Sequence, residues 1–556
     1  MGNLAGATES ERRRLASPTG VLPPNDSFVQ PESTRRMIAL IRRIYDEADP
    51  RRNPYRSSGQ IPLLQALEKE GDEKQSADPM QLSDIKLHLA VHLLQAGRTE
   101  EAHRQYERVE RFVQEKNIPL DSRLEGTIRN SKALCHLRAG ERANCLANHN
   151  ADSCLFPIQG GGVHQLQDGS RAAAAELTAL LTKFPGDLRA RWLLNIAHMT
   201  LGEYPDKVPA RWLIPPDRFA AEDDIGRFPD VAGALGLAVN DLAGGAVMED
   251  FDRDGFLDLM VSSWGFDERD QLRVFRSNGD GTFTERTEQA GLTGLVGALN
   301  LIHGDYDNDG FADVLAMRGA WLFTEGHFPF SLLRNNGDFT FTDVTEEAGL
   351  LHFKPTQTAV WFDYNGDGWL DIFVGIESAA RETNRCELYR NNGDGTFTEC
   401  AAEHGVDVLS YVKSVASGDF NNDGRPDLFL SGLGGQRILF RNDGPAGADS
   451  SPRAAWRFTD VAEQAGIDGP GSSFPSWFWD YDNDGWQDIM VTGYLIQDVG
   501  DIAADYMGRP TPGQKAMLYR NNGDGTFTNI SRAAGVSRVI HAMSANYGDL
   551  DNDGWL

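Results

Sequence analysis

Six times between Asp250 and Leu556 the chain writes one nine-residue pattern: DFDRDGFLD, DYDNDGFAD, DYNGDGWLD, DFNNDGRPD, DYDNDGWQD and a clipped DLDNDGWL. Oxygen-bearing side chains stand at positions one, three and five, glycine at six, and in the five full copies aspartate at nine. Carboxylates converging from alternate positions around a sharp reversal suit a hard cation with many oxygen ligands, which points to calcium. Glycine permits the reversal because it takes backbone angles that other residues resist.

The first copy would draw on Asp250, Asp252, Asp254, the backbone carbonyl of Phe256, and Asp258. The second offers Asp305, Asp307, Asp309, Phe311 and Asp313, and the fifth Asp480, Asp482, Asp484, Trp486 and Asp488. Asparagine replaces the position-three carboxylate in the third copy (Asp363, Asn365, Asp367, Trp369, Asp371) and in the fourth (Asp419, Asn421, Asp423, Arg425, Asp427), which predicts weaker cages there. The sixth supplies Asp549, Asp551 and Asp553 and stops before position nine. One cation per loop gives five complete calcium sites and one truncated. Position nine opens an apolar run such as LDLMVSS, so each loop joins two strands rather than the two helices of an EF-hand.

Loop starts are separated by 55, 58, 56, 61 and 69 residues, the period of propeller blades rather than of shorter solenoid repeats. An apolar stretch precedes each loop, and a second hairpin signal follows: SNGDGTF, NNGDFTF, NNGDGTF, the interrupted RNDG, and NNGDGTF again. These turns lack three alternating carboxylates and a closing aspartate, so turn chemistry accounts for them and they receive no ligand role. Strand, loop, strand, strand, hairpin, strand makes one blade. The chain then reads as five complete blades and the opening of a sixth.

These residues resemble FG-GAP, or VCBS, repeats, as in the calcium-bearing blades of integrin alpha chains. GDYDNDGFADVLAM with LLRNNGDFTFTDVTEEAGL looks still more like bacterial relatives of cartilage acidic protein. The likeness covers roughly residues 225 to 556. It implies a β-propeller, calcium at each loop and an extracytoplasmic interaction role, with no named ligand. Two departures stand out: the chain stops inside loop six, which reads as truncation, and Phe228-Pro-Asp-Val-Ala resembles the FTDVTEEAGL strand ends. That segment is expected to be the outer strand of the final blade, closing the ring.

Ahead of the repeats the grammar changes to helical periodicity. In LHLAVHLLQAGRTEEAHRQYERV, Leu89, Ala90, Gly97, Ala102 and Tyr106 fall where a tetratricopeptide hairpin needs its packing residues. TIRNSKALCHLRAG, with Ala133 and Gly140, then RAAAAELTALLTKFPGD and RARWLLNIAHMTLGEYP, continue about three degenerate repeats; an irregular helical domain is the alternative. The expected organisation is multidomain: a flexible lead-in over 1–55, an all-α tetratricopeptide-like domain over 56–215 with an inserted loop at 144–169, and an all-β propeller over 216–556.

Cys145, His149, Cys154 and His164 crowd the inserted loop. A Cys145–Cys154 disulfide, unpaired structural residues, and a zinc or haem-type site are the competing readings, although the spacing fits no standard zinc pattern. Cys386 and Cys400 stand equidistant from Gly393 in an NNGDG turn and are expected to face each other across the hairpin, inside disulfide range unless a bulge shifts the register. Cys135 reads as a buried helix residue.

The formal net charge is -29, and the six loops alone hold 21 aspartates, so much of the acidity is ligand and nucleic acid is an unsuitable partner. No stretch approaches the apolar length of a membrane span, and MGNLAGATESERRRLASPTG lacks the apolar core of a signal peptide. Calcium and paired cysteines nonetheless favour an extracytoplasmic location. Trp264, Trp361, Trp477 and Trp479 invite a sugar-stacking interpretation, with packing between blades the stronger one. The leading expectation is a calcium-stabilised propeller that binds protein or carbohydrate ligands, with the helical repeats as a second surface. The alternative is a metal-dependent carbohydrate lyase or dehydratase, which would call on His303, His352, His404 or His541.

Overall fold

The computed structural model describes residues 25, 27–49, 57–74, 78–119, 121–150, 152–220, 228–239, 242–267, 269–378, 383–447 and 454–549. They fall into two compact units. One takes Met1–Ala48, Val231–Leu495 and Gln514–Leu556, the other Asp49–Asp230 and Ile496–Gly513.

The first unit holds five four-stranded antiparallel sheets, each formed by consecutive strands. They are β1 to β4 (Ala246–Glu249, Asp258–Val261, Arg273–Ser277, Phe283–Glu285), β5 to β8 (Ala298–Gly304, Asp313–Arg318, Ser331–Asn335, Phe341–Asp343) and β9 to β12 (Thr356–Phe362, Asp371–Ile376, Glu387–Asn391, Phe397–Glu399). Then follow β13 to β16 (Tyr411–Gly418, Asp427–Leu433, Ile438–Pro445, Trp456–Asp460) and β17 to β20 (Ser473–Trp479, Asp488–Gly493, Met517–Asn521, Phe527–Asn529). The first strands of successive sheets are neighbours, which makes the array propeller-like.

Burial follows from place in the sheet. The second strands are apolar runs such as DIFVGI in β10, in which every residue is buried because both faces are covered. The outer strand β12 keeps only Phe397 inside and exposes Thr398 and Glu399. One apolar core runs from Tyr306 and Leu315 through Phe373 to Trp456 and Phe458, bridging the second, third and fourth sheets. At one end of the inner strands Lys413 is fully buried: its Nζ donates to Gln357 Oε1 at 3.0 Å, pairs with Glu377, and lies 3.2 Å from the Trp321 ring centroid.

Residues 27–48 depart from the expected flexible lead-in. The helix Glu32–Glu47 packs on the first two sheets, burying Met37 and Ile41 among Phe251, Leu292 and Phe328. Thr34 Oγ1 accepts from the Asp343 backbone N–H at 3.0 Å, Arg36 meets Glu346 and Glu347 at 3.1 and 3.0 Å, and Tyr45 stacks on Phe266 at 4.9 Å. The amphipathic stretch MIALIRRIYDEA was visible in the sequence; the surface it covers lies some 210 to 310 residues further along, beyond any local signal.

The second unit packs each helix on its sequence neighbour: Ser57–Glu73, Pro79–Gln95, Thr99–Glu115, Ser122–Asn148, Asp168–Lys183 and Leu188–Thr200. Leu89, Ala90, Ala102 and Tyr106 share one core, as their spacing predicted. Gly169 is needed where two helices nearly touch, since a Cβ there would meet His136 O at 2.6 Å. The helix Ser122–Asn148 runs past the expected loop start at 144. A further helix, Val499–Tyr506, lies between β18 and β19 in sequence yet packs on Leu188–Thr200, with Ala503 in the helical core. The propeller text thus lends a segment to the helical unit, which the 216–556 boundary missed.

Two further expectations are corrected. Phe228 to Asp230 form no strand; Phe228 is exposed, and only the helical turn Ala232–Leu235 with its left-handed Gly236 repeats the ending seen after other outer strands. Asn391 pairs with Phe397 and Tyr389 with Glu399, so the hairpin folds about Asp394 rather than Gly393, and Cys400 N–H donates to Leu388 O. Cys386 and Cys400 are therefore two residues out of register for a bridge; both are buried with free thiols, as is Cys135. Cys145 and Cys154 are exposed and also free. His149 Nε2 instead meets Asp230 at 3.2 Å and His164 Nδ1 meets Ser170 Oγ at 3.0 Å, so the four loop residues do not converge on a metal.

Truncating Ile41 to Ala should cost the sheet unit about 2–4 kcal/mol in a urea titration, against under about 1 kcal/mol for the exposed Arg36→Ala. Equal and small effects would show that the helix does not dock.

Candidate cation-binding loops

Each loop between the first and second strand of a sheet folds around its own carboxylates. At position one, Asp250, Asp305, Asp363, Asp419 and Asp480 accept from the backbone N–H of position five at 2.9–3.1 Å. Their second oxygens accept from the position-six glycine at 2.7–2.9 Å. The position-five carboxylate accepts in turn from the position-seven N–H, for example Trp369 to Asp367 Oδ1 at 3.0 Å. Position four is left-handed throughout, at Arg253, Asn308, Gly366, Asn422 and Asn483. This is a side-chain-capped turn that asparagine and glycine tolerate best.

Position nine is the anchor. Asp258, Asp313, Asp371, Asp427 and Asp488 are wholly buried. Each accepts the position-two N–H on one oxygen at 3.0–3.3 Å. The other oxygen accepts a third-strand N–H, from Ser277, Asn335, Asn391, Asn442 or Asn521, at 2.7–2.8 Å. Burial pushes these carboxyls up: Asp371 to about 8, Asp258 and Asp427 to about 7, Asp488 to about 6, and Asp313 well above the ordinary range.

Position three separates the loops into two kinds. In the four-aspartate loops, Asp252, Asp307 and Asp482 each leave Oδ1 buried with no hydrogen-bond partner, and Asp252 is 0% exposed. Carboxylate oxygens of Asp250, Asp252 and Asp254 lie within 4.8 Å of one another, as do those of Asp305, Asp307 and Asp313, and of Asp480, Asp482 and Asp488. In the other two loops Asn365 and Asn421 donate Nδ2 to Asp367 and Asp423 at 3.1 and 2.9 Å, so position three there brings a neutral amide that satisfies a carboxylate oxygen in place of a further carboxylate. Loop one is further distinguished by Arg276, whose guanidinium reaches Asp252 at 2.7 Å and Asp254 at 2.6 Å. A buried carboxylate oxygen without a donor costs roughly 1–3 kcal/mol or more, so the four-aspartate loops fit a cation at position three. Asp549 of loop six is described, and Asp551 and Asp553 lie outside the described residues.

The NGDG turns, read as simple hairpins, hold a second device. Asn335, Asn391, Asn442 and Asn521 each donate Nδ2 to the position-two carbonyl of the preceding blade's loop: Phe251, Tyr306, Tyr364 and Phe420, at 2.7–3.0 Å. The same amide donates to its own loop at Ala312, Leu370, Pro426 and Gln487. The turn glycine next to it lies under the position-seven side chain, and a Cβ on Gly393 or Gly523 would come 3.1 Å from the Trp369 or Trp486 indole. The signal was present in the sequence as the first asparagine of N-N-G-D in copy after copy. Turn chemistry explained the glycine and left that asparagine without a task.

The candidate histidines are held apart. His303 Nε2 meets Glu249 at 3.2 Å, His352 lies 2.5 Å from Glu387, His404 bonds Tyr364 Oη at 2.8 Å, and His541 stacks on Tyr494. None joins a carboxylate cluster among the described residues. Trp477 and Trp479 pack with Tyr547, and Trp361 with Tyr306, as expected of residues between blades.

Replacing Asn391 with Ala orphans two buried carbonyls and should destabilise the sheet unit by about 2–4 kcal/mol by chemical denaturation. The same change at Asn278, whose amide bonds the exposed Thr282 and Thr284 hydroxyls, should stay within about 0.5 kcal/mol.

Residues 226–316, 363–430 and 480–556 match the FG-GAP-like repeat family. Cartilage acidic protein 1 of Xenopus tropicalis is 35% identical over 131 residues, 23% of this chain and 18% of that protein. Cartilage acidic protein 1 of Homo sapiens is 25% identical over 228 residues, 40% of this chain and 30% of that protein. The chain spans under a third of the length of these curated relatives. It carries FG-GAP-like repeats on a propeller-like array of antiparallel sheets.

Proposed function

We propose that this chain is a calcium-binding β-propeller interaction protein that works outside the cytoplasm, with the tetratricopeptide-like helical unit as a second binding surface. The observation that carries the calcium reading is Asp307 Oδ1, a buried carboxylate oxygen with no hydrogen-bond partner, matched by Asp482 Oδ1 in loop five and by Asp252 Oδ1 in loop one, where Arg276 already holds the other oxygen. Carboxylates with backbone carbonyls nearby favour a large, flexibly coordinated dication over magnesium, which keeps its waters and demands octahedral geometry. Calcium at these sites would neutralise charge and rigidify the loops; the chemistry it supplies is structural. The ligand of the propeller is a protein or a glycan, a class supported by the repeat family. No helix among the described residues is long and apolar enough to cross a membrane. Secretion or a periplasmic or surface location supplies calcium at the level such loops need, and there Cys145 and Cys154 would close a disulfide over the inserted loop.

Calcium should raise the melting midpoint of the full chain by several degrees, chelator should reverse the shift, and equimolar magnesium should reproduce little of it. Asp307→Asn should raise the melting point of the chelated protein and shrink the calcium shift, because it removes like charge where the cation would sit. A midpoint that ignores calcium and chelator alike rejects the calcium reading.

A further inference from the structure

The loops touch one another in an uneven way. Asn308, at position four of loop two, donates Nδ2 to the Gly368 carbonyl of loop three at 2.9 Å. Asn422 of loop four does the same to Gly485 of loop five at 3.0 Å. Between loops three and four the donor position is Gly366, which has no side chain to give. From loop one to loop two the contact is of another kind, with the Arg253 guanidinium 5.7 Å from the Phe311 ring centroid.

The accepting carbonyl sits at a sensitive place. Gly368 C=O and Trp369 N–H belong to one peptide, and that N–H holds Asp367 Oδ1 at 3.0 Å. The Gly485–Trp486 peptide holds Asp484 Oδ1 at 2.9 Å in the same way. An asparagine amide from the preceding loop therefore fixes the plane of the peptide that positions the next loop's position-five carboxylate and precedes its position-seven carbonyl. In the donor loop, Asn308 lies between Asp307 and Asp309, so a cation that orders those two carboxylates also orders the amide between them. Ordering one loop lowers the cost of ordering the next, and by linkage the effect runs both ways.

We propose, resting on the calcium reading above, that the loops fill in coupled pairs, two with three and four with five, and that Gly366 breaks the coupling between three and four. The sequence provides the reporters. Trp369 and Trp486 sit at position seven of the two accepting loops, where an indole sensitises terbium emission from the adjacent site.

In full-length protein carrying Trp486→Phe and Trp555→Phe, which removes the position-seven indoles of loops five and six, sensitised terbium emission reports loop three. Asn308→Ala should raise the terbium midpoint of that loop about three- to tenfold, and Asn422→Ala should leave it in place. In protein carrying Trp369→Phe and Trp555→Phe the two variants should exchange roles. Asp305→Ala, which empties loop two, should weaken loop three only while Asn308 is present. Coupling is overturned if Asn308→Ala leaves the loop-three midpoint unmoved, or if Asn422→Ala moves it equally. Both variants sit on exposed turns, so folding should survive, and Asn308→Gly and Asn422→Gly, which remove the amide without the strain alanine meets at left-handed backbone, should give the same pattern; a saturable signal with independent midpoints rejects the coupling alone, whereas no saturable emission in either background rejects the cation reading with it.

Discussion

Each blade depends on a buried carboxylate at position nine. Asp371 illustrates the arrangement: one oxygen accepts the Tyr364 N–H at the start of its loop, the other the Asn391 N–H at the end of the third strand. A carboxylate taken out of water in this way is tolerated only if its lone pairs are satisfied, and two backbone donors do that. The consequence is geometric. Loop, second strand and third strand are pinned at one point, and the Asn391 side chain, now fixed, reaches back to Tyr306 O in the preceding blade. Repetition of this joint at Asn335, Asn442 and Asn521 converts separate sheets into an array with a defined spacing.

The loops and strands were legible because their information is local. Alternate aspartates, a glycine and an apolar run of six lie within fifteen residues, and the structure places loop, second strand and hairpin where that text puts them. What escaped was information with no local reader. The amphipathic stretch at Glu32–Glu47 shows its apolar side to anyone counting residues, yet nothing near it says that Phe251 and Phe328 are the partner. Val499–Tyr506 reads as a connection within a blade and folds into the helical core. The Cys386–Cys400 register failed by a single step of the turn: Asn392 N–H bonds Thr396 O, centring the hairpin on Asp394, and a shift of one in the centre displaces every cross-strand partner by two.

A different solution to charge burial appears at Lys413. Its side chain is shut off from solvent, and burial lowers its pKa to about 8 against the pull of Glu377. Glu377 Oε2 also accepts the Trp321 N–H at 2.8 Å, so three neighbouring sheets contribute to one knot of charge, amide and aromatic rings. Such a pair adds little net stability relative to an apolar replacement, but removing one member leaves a buried charge alone. It enforces which segments meet at that end of the inner strands, a specificity that interchangeable apolar contacts would not supply.

The first blade shows what the joint contributes by lacking half of it. Ser277 stands where the other blades place the clamping asparagine, and its backbone N–H still serves Asp258 at 2.8 Å, but its hydroxyl is too short to span two loops. Arg276 then folds into the loop and neutralises Asp252 and Asp254 directly. The arginines at the same register elsewhere behave otherwise: Arg441 pairs with Asp443 at 2.7 Å, outside its cage. Loop one still receives the clamp from the next blade, Asn335 Nδ2 on Phe251 O, but lacks an asparagine of its own blade, and there Arg276 takes up the carboxylate charge. The need to hold several carboxylates together in a nearly dry loop is thus met in two ways, by amide and backbone donors and by a cationic side chain of the same blade.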